Sequence, residues 1–171
     1  YKDSTIGLQN FGFSQNDGIY ALDEHLNIQT HAVTGRLQVK NADVNAILAV
    51  ANYKNDTITG RLDGTIDLGG AIENPAAHVQ GFIGSGTLKG YPLSKIMIDA
   101  NLDNHIVTLH KFYGEQGLGK LAAEGTVDLN GPINARMSAQ DIDAGLLTNL
   151  FDSKLDMKGQ LNVDAQFGGT I

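Results

Sequence analysis

The chain has 171 residues, with 12 Lys and Arg against 19 Asp and Glu, a formal charge of −7 and a pI near 5.0. That balance excludes electrostatic capture of nucleic acid, which needs clustered cations to displace counterions from phosphate. There is no cysteine, so disulfides, thiolate metal sites and cysteine nucleophiles are excluded as well.

Hydrophobic residues make up 42%, enough for a core, while 21 Gly, only 3 Pro and no Trp favour many short strands over long helices. No apolar run approaches the roughly 20 residues of a membrane-spanning helix. The first residue is not Met, no leader-like segment opens the chain, and Gly168-Gly169-Thr170-Ile171 ends it just after a strand-like run. Residues 1–171 therefore read as a single fragment of a longer, repetitive protein.

In chain order, residues 1–32 are strand-like, with strand candidates at 26–33 and 35–40. In 43–53, Val44, Ile47, Leu48 and Ala51 fall at helical spacing behind Asp43, predicting a short amphipathic helix with Asp43 as its N-cap. From Ile58 to Leu68 the apolar phase is Ile58, Gly60, Leu62, Gly64, Ile66, Leu68 against Thr59, Arg61, Asp63, Thr65, Asp67, the period-2 signature of a strand. Shorter candidates are 79–83 and 86–90, then Ile96, Ile98, Ala100 and Leu102 alternate, followed by a candidate at 105–113. Leu121, Ala123, Gly125, Val127 and Leu129 form the next phase, and 133–139 another candidate. A second amphipathic segment, 141–151, carries Ile142, Leu146, Leu147, Leu150 and Phe151 behind Asp141. The last strand is 155–167, with Leu155, Met157, Gly159, Leu161, Val163, Ala165 and Phe167 on one face. Turn chemistry separates the runs at Asn55-Asp56, Gly69-Gly70, Asn74-Pro75, Asp103-Asn104, Gly117 and Asn130-Gly131-Pro132. Strands joined by short turns predict an antiparallel meander.

The helical interruptions expose an internal repeat. Gly60-Arg61-Leu62 lies over Gly159-Gln160-Leu161 at a shift of 99 residues, and Asp43-Val44-Asn45-Ala46 over Asp141-Ile142-Asp143-Ala144 at a shift of 98. The repeated units are about 33–72 and 133–171. Gly60, Gly64, Gly125 and Gly159 sit in phase with the apolar residues. They mark bulges and bends, or they let the sheet curl into a trough that its own side chains do not fill.

No constellation for catalysis emerges, so the chain is read as a non-enzyme without a cofactor. The five histidines, 25, 31, 78, 105 and 110, show no H-x-x-x-H spacing and read as solvated. Gly114 to Lys120 meets the G-x-x-x-x-G-K spacing, but Leu121 replaces the hydroxyl residue and a strand follows, so it reads as a turn. Asp152–Gly159 lacks the alternating acids of a calcium loop, and Asn55-Asp56-Thr57 is a formal glycosylation sequon.

The run from Gly60 to Gly70, Glu73-Asn74-Pro75, Gly86-Thr87-Leu88-Lys89-Gly90-Tyr91-Pro92-Leu93, Gly125 to Pro132, and Asp141-Ile142-Asp143-Ala144-Gly145-Leu146-Leu147 together resemble the TamB and AsmA-like proteins of diderm bacteria. The likeness covers roughly 33–171 and rests on the order of degenerate motifs. It implies an elongated, curved antiparallel β-sheet groove, the β-taco or repeating β-groove, with two short helices. It further implies a periplasmic location, as part of a protein anchored in the inner membrane, and carriage of phospholipid acyl chains towards the outer membrane. An Omp85-type barrel resembling TamA is the partner so implied, through outer-membrane protein assembly. The residues matching the groove lining are Ile58, Leu62, Ile66, Leu68, Ile96, Ile98, Leu102, Leu121, Val127, Leu129, Leu155, Met157, Leu161, Val163 and Phe167. Two other readings compete: a structural or adhesive β-solenoid with a filled core, and a chaperone that binds β-barrel strands by augmentation. Exposed sheet edges are expected to allow dimers.

Overall fold

The computed structural model describes residues 4–50, 57–151 and 157–170. Leu155, Asn55 and Asp56 lie outside the described residues, as do the C-terminal end of the expected 43–53 helix and the start of the expected 155–167 strand. The fold is all-β, one curved, open, antiparallel sheet of ten strands in strict sequence order, with two short helices. The strands are β1 (Thr5–Gln15), β2 (Gly18–Asn27), β3 (Val33–Asp43), β4 (Ile58–Ala71), β5 (Asn74–Leu88), β6 (Tyr91–Asp103), β7 (Ile106–Gln116), β8 (Gly119–Asp128), β9 (Pro132–Asp143) and β10 (Gln160–Thr170). Helix α1 (Val44–Val50) follows β3 and α2 (Ala144–Leu150) follows β9. Both follow odd-numbered strands of an up-and-down meander, so both helices lie at the same end of the sheet.

Several expected boundaries move. Residues 26–33 span the end of β2, the connection at 28–32 and the start of β3, while 79–83 and 86–88 are one strand, β5, broken by a bulge opposite Gly60-Leu62, with 89–90 its turn. Gly69, Gly70, Asn74 and Pro75 belong to the paired ends of β4 and β5, and the turn is Ile72-Glu73. Asp43 caps α1, its carboxylate accepting from the Asn45 N–H at 2.8 Å. Helix α2 is capped by Asp143, which accepts from the Gly145 N–H at 2.7 Å, and not by Asp141. Because α1 begins at Val44 and α2 at Ala144, the helices are 100 residues apart, two more than the sequence match suggested.

Asp141 has a different task. It sits in a bulge with φ +50°, as Asn41 (φ +53°) and Asn10 (φ +53°) do in β3 and β1. Asn and Asp tolerate this left-handed conformation better than other non-glycine residues. Each bulged N–H donates to a side chain on the next strand: Asn10 to Asp23 at 2.7 Å, Asn41 to Asp63 at 2.7 Å, and Asp141 to Asn162 at 2.8 Å. A bulge adds one residue and strengthens the local twist, so the apolar phase resumes on the same face after it.

The core lies on one face and towards one end. Ala42, Leu62, Ile83, Leu93, Ile96, Leu121, Ala139 and Ile142 are buried, all at the helix end of their strands. Leu146 and Leu147 of α2 and Val44 of α1 pack into the same cluster. Each buried Leu or Ile contributes about 1.5–3 kcal/mol relative to exposure. Helix α2 reaches across the sheet: the Asn149 amide donates to the Tyr91 hydroxyl of β6 at 3.1 Å. Any side chain at Gly145 would run into that hydroxyl. Of the in-phase glycines, Gly60, Gly64 and Gly125 serve close approach, whereas a Cβ at Gly159 would meet open space. A Cβ at Gly64 would strike the Gln80 carbonyl oxygen, and one at Gly125 (φ +152°) the Ala135 backbone.

Candidate functional site

Cross-strand register turns the inner face into rows that run perpendicular to the strands. One row reads Leu8, Glu24, Gly35, Leu68, Ala77, Leu102, Val107, Val127, Ile133, Gly169 from β1 to β10. The next row reads Phe11, Leu22, Leu37, Ile66, Val79, Ala100, Leu109, Gly125, Ala135, Phe167. Nine inter-strand steps of about 4.8 Å give a lane roughly 43 Å long along its pleat. These two rows lie towards the helix-free end, and most of their side chains are only partly buried by the protein itself. Leu68 is 37% exposed, whereas Ile96, three rows nearer the helices, is 0% exposed. The hairpins at the helix-free rim carry exposed Ile28, Ile72, Ile106 and Leu129, one for each connection.

Where the lane meets α2 an apolar cavity of about 300 Å³ opens. Leu88, Phe112, Met137, Leu150, Phe151 and Phe167 line it. Leu88 belongs to β5 and Phe167 to β10, so the sheet curls enough to bring residues five strands apart around one space. The Phe151 and Phe167 rings tilt against each other with centroids 5.2 Å apart, an attractive aromatic geometry. The volume sits at the small end of ligand pockets, about 300–1,000 Å³.

The fifteen residues expected to line a groove divide into four groups. Ile58, Ile66, Leu68, Ile98, Leu102, Val127, Leu161, Val163 and Phe167 are partly or largely accessible on the inner face. Leu62, Ile96 and Leu121 share that face but are buried in the core cluster that α1 and α2 pack into. Leu129 falls in the β8–β9 turn and Met157 outside the strands, because β8 ends at Asp128 and β10 begins at Gln160. Leu155 is outside the described residues. The inner face also contains residues the sequence reading missed: Leu8, Phe11, Leu22 and Leu37 in the lane, and Ile6, Phe13 and Leu26 in the rows beside it. The β1 bulge between Leu8 and Phe11 shifts the apolar phase from even to odd positions, which hides the alternation.

The outer face is polar and laced with cross-strand pairs. Arg36 donates to Asp67 and Arg136 to Asp164, each through both Nε and Nη2. The Arg36 hydrogen bonds hold the Asp67 carboxyl below its ordinary range, and Arg136 does the same for Asp164. Gln80, then His78, lowers Asp99 in the same way; His78 and Asp99 are 3.0 Å apart. His31 meets Glu73 at 2.6 Å, so two of the five histidines have carboxylate neighbours that spacing alone did not reveal. Among the described residues no group of three or more His, Asp or Glu is placed to hold a metal ion. Gly114 to Lys120 is the β7–β8 hairpin, with its turn at Gly117-Leu118 and no helix after it. No helix among the described residues is long and apolar enough to cross a membrane.

No family model, characterised protein or solved structure matches the chain.

Proposed function

We propose that this chain is a lipid-carrying segment, with acyl chains lying along the inner-face lane and the polar outer face turned to water. The observation that carries the reading is the pair of adjacent rows from β1 to β10, apolar or glycine at every position but Glu24 and left partly exposed at the helix-free end. Monomeric soluble proteins seldom expose so long an apolar strip. Each methylene taken from water gains about 0.8 kcal/mol. Ten methylenes are therefore worth about 8 kcal/mol, without a directional bond that would hold the chain in one place. The TamB and AsmA-like resemblance points the same way. It supplies the setting: the periplasm, traffic of phospholipid between inner and outer membranes, an anchored parent protein and an Omp85-type barrel as a partner.

A filled structural solenoid is less well supported, because side chains close only the helix end of the face. Strand augmentation draws on β1, whose residues are exposed along its whole length. Native mass spectrometry of the purified protein tests the main reading. Adducts of phospholipid mass, lost on delipidation and regained from vesicles, are expected. A protein that stays at its bare mass through both steps overturns it.

A further inference from the structure

We infer that the open half of the lane selects zwitterionic, amine-bearing lipids over anionic ones, with Glu24 as the contact for the ammonium group. The inference rests on the lipid-carrying reading and adds the headgroup class. Glu24 is the one Asp, Glu, Lys, Arg or His side chain among the described inner-face strand positions. It lies in β2 between Leu22 and Leu26, opposite Leu8 on one side and Gly35 on the other. It is partly buried and makes no hydrogen bond or ion pair among the described residues. A Cβ at Gly35 would meet the Asp23 carbonyl oxygen at 2.9 Å and the Glu24 Cβ at 3.4 Å, so glycine there lets β2 and β3 approach closely beside Glu24. A carboxylate set in an apolar surface needs a cation or water to offset its desolvation.

The surrounding field has the same sign. The helix-free rim carries Glu73, Asp103 and Asp128, with His31 bonded to Glu73 and with His105, and no Lys or Arg among the described residues. Lys40, Arg61, Lys89, Lys120 and Lys158 sit at the opposite end. An acyl chain in the open rows leaves its headgroup nearest the helix-free rim. There the described rim residues offer an anionic phosphate carboxylates and no Lys or Arg, whereas a phosphoethanolamine offers its ammonium to Glu24.

The test uses equimolar vesicles of phosphatidylethanolamine and phosphatidylglycerol, with protein-bound lipid separated and quantified by mass. The wild type is expected to enrich phosphatidylethanolamine about two- to fivefold over the input, the ratio an accessible ion pair supplies. Glu24→Gln should return the ratio towards the input, and Glu24→Lys should tilt it to phosphatidylglycerol. Unaltered far-ultraviolet circular dichroism checks that both variants fold. Wild-type composition equal to the input, or rich in phosphatidylglycerol, overturns the inference while leaving lipid carriage standing. Enrichment that survives Glu24→Gln removes Glu24 from it. Absence of bound lipid of either kind overturns the carrying reading itself, and the inference with it.

Discussion

Truncating a leucine should have opposite consequences at the two ends of the inner face. Leu121 is 2% exposed in the core cluster with α2. Leu121→Ala removes three carbons from a closed site and adds a cavity term, a loss of about 3 kcal/mol. For a chain of this length that corresponds to a fall of about 6–12 °C in melting temperature. Leu68 is 37% exposed and faces the open rows. Leu68→Ala forfeits part of the transfer free energy and leaves no closed void, so the loss is about 1 kcal/mol. Urea titration followed by far-ultraviolet circular dichroism separates the two variants, while lipid binding should fall for Leu68→Ala. Equal destabilisation by both substitutions would refute the argument, because Leu68 would then be packed as tightly as Leu121.

Four further outcomes follow from particular contacts. Asp143→Ala removes the α2 cap and should cost about 1 kcal/mol, whereas Asp141→Gly, at a left-handed bulge, should cost little; chemical denaturation distinguishes them. Tyr91→Phe deletes the acceptor of the Asn149 amide and should cost about 1 kcal/mol, with faster hydrogen exchange in α2; unchanged exchange would count against the bridge. Gly64→Val meets the Gln80 carbonyl oxygen and should cost several times more than Gly69→Val, whose Cβ has open space; similar melting temperatures would contradict this. Asp67 and Asp164 have pKa values lowered chiefly by hydrogen bonds from Arg36 and Arg136. Their contribution is therefore present above about pH 4 and is lost as pH falls through the lowered values. The double variant Asp67→Asn, Asp164→Asn should show a flatter urea midpoint below pH 4, and parallel curves for wild type and variant would refute the assignment.

What the sequence disclosed and what it concealed have a common physical source. Alternation is visible wherever a strand runs unbroken, so β4 and β8 could be read residue by residue. Where a bulge intervenes, at Asn10, at Ser85 and at Asp141, the phase flips although the inner face does not, and the reading lost β1, split β5 and misplaced the α2 cap. The polar residue that marks a bulge, an Asn or Asp whose N–H reaches Asp23, Asp63 or Asn162, is only recognisable once the neighbouring strand is in register. Likewise, alternation says which face is apolar but not how much of it the helices cover. Leu121 and Val127 share one strand and one phase, and only the docking of α2 onto Tyr91 puts the first among the core and leaves the second partly open.

The most direct test places a photo-crosslinking residue at Ile66, Leu68 or Val127 on the inner face, and at Asp63, Gln80 or Gln160 on the outer one, in protein loaded from phospholipid vesicles. Lipid-mass adducts confined to the inner positions are the expected result. Equal labelling on both faces, or labelling at the outer positions alone, would contradict the lane.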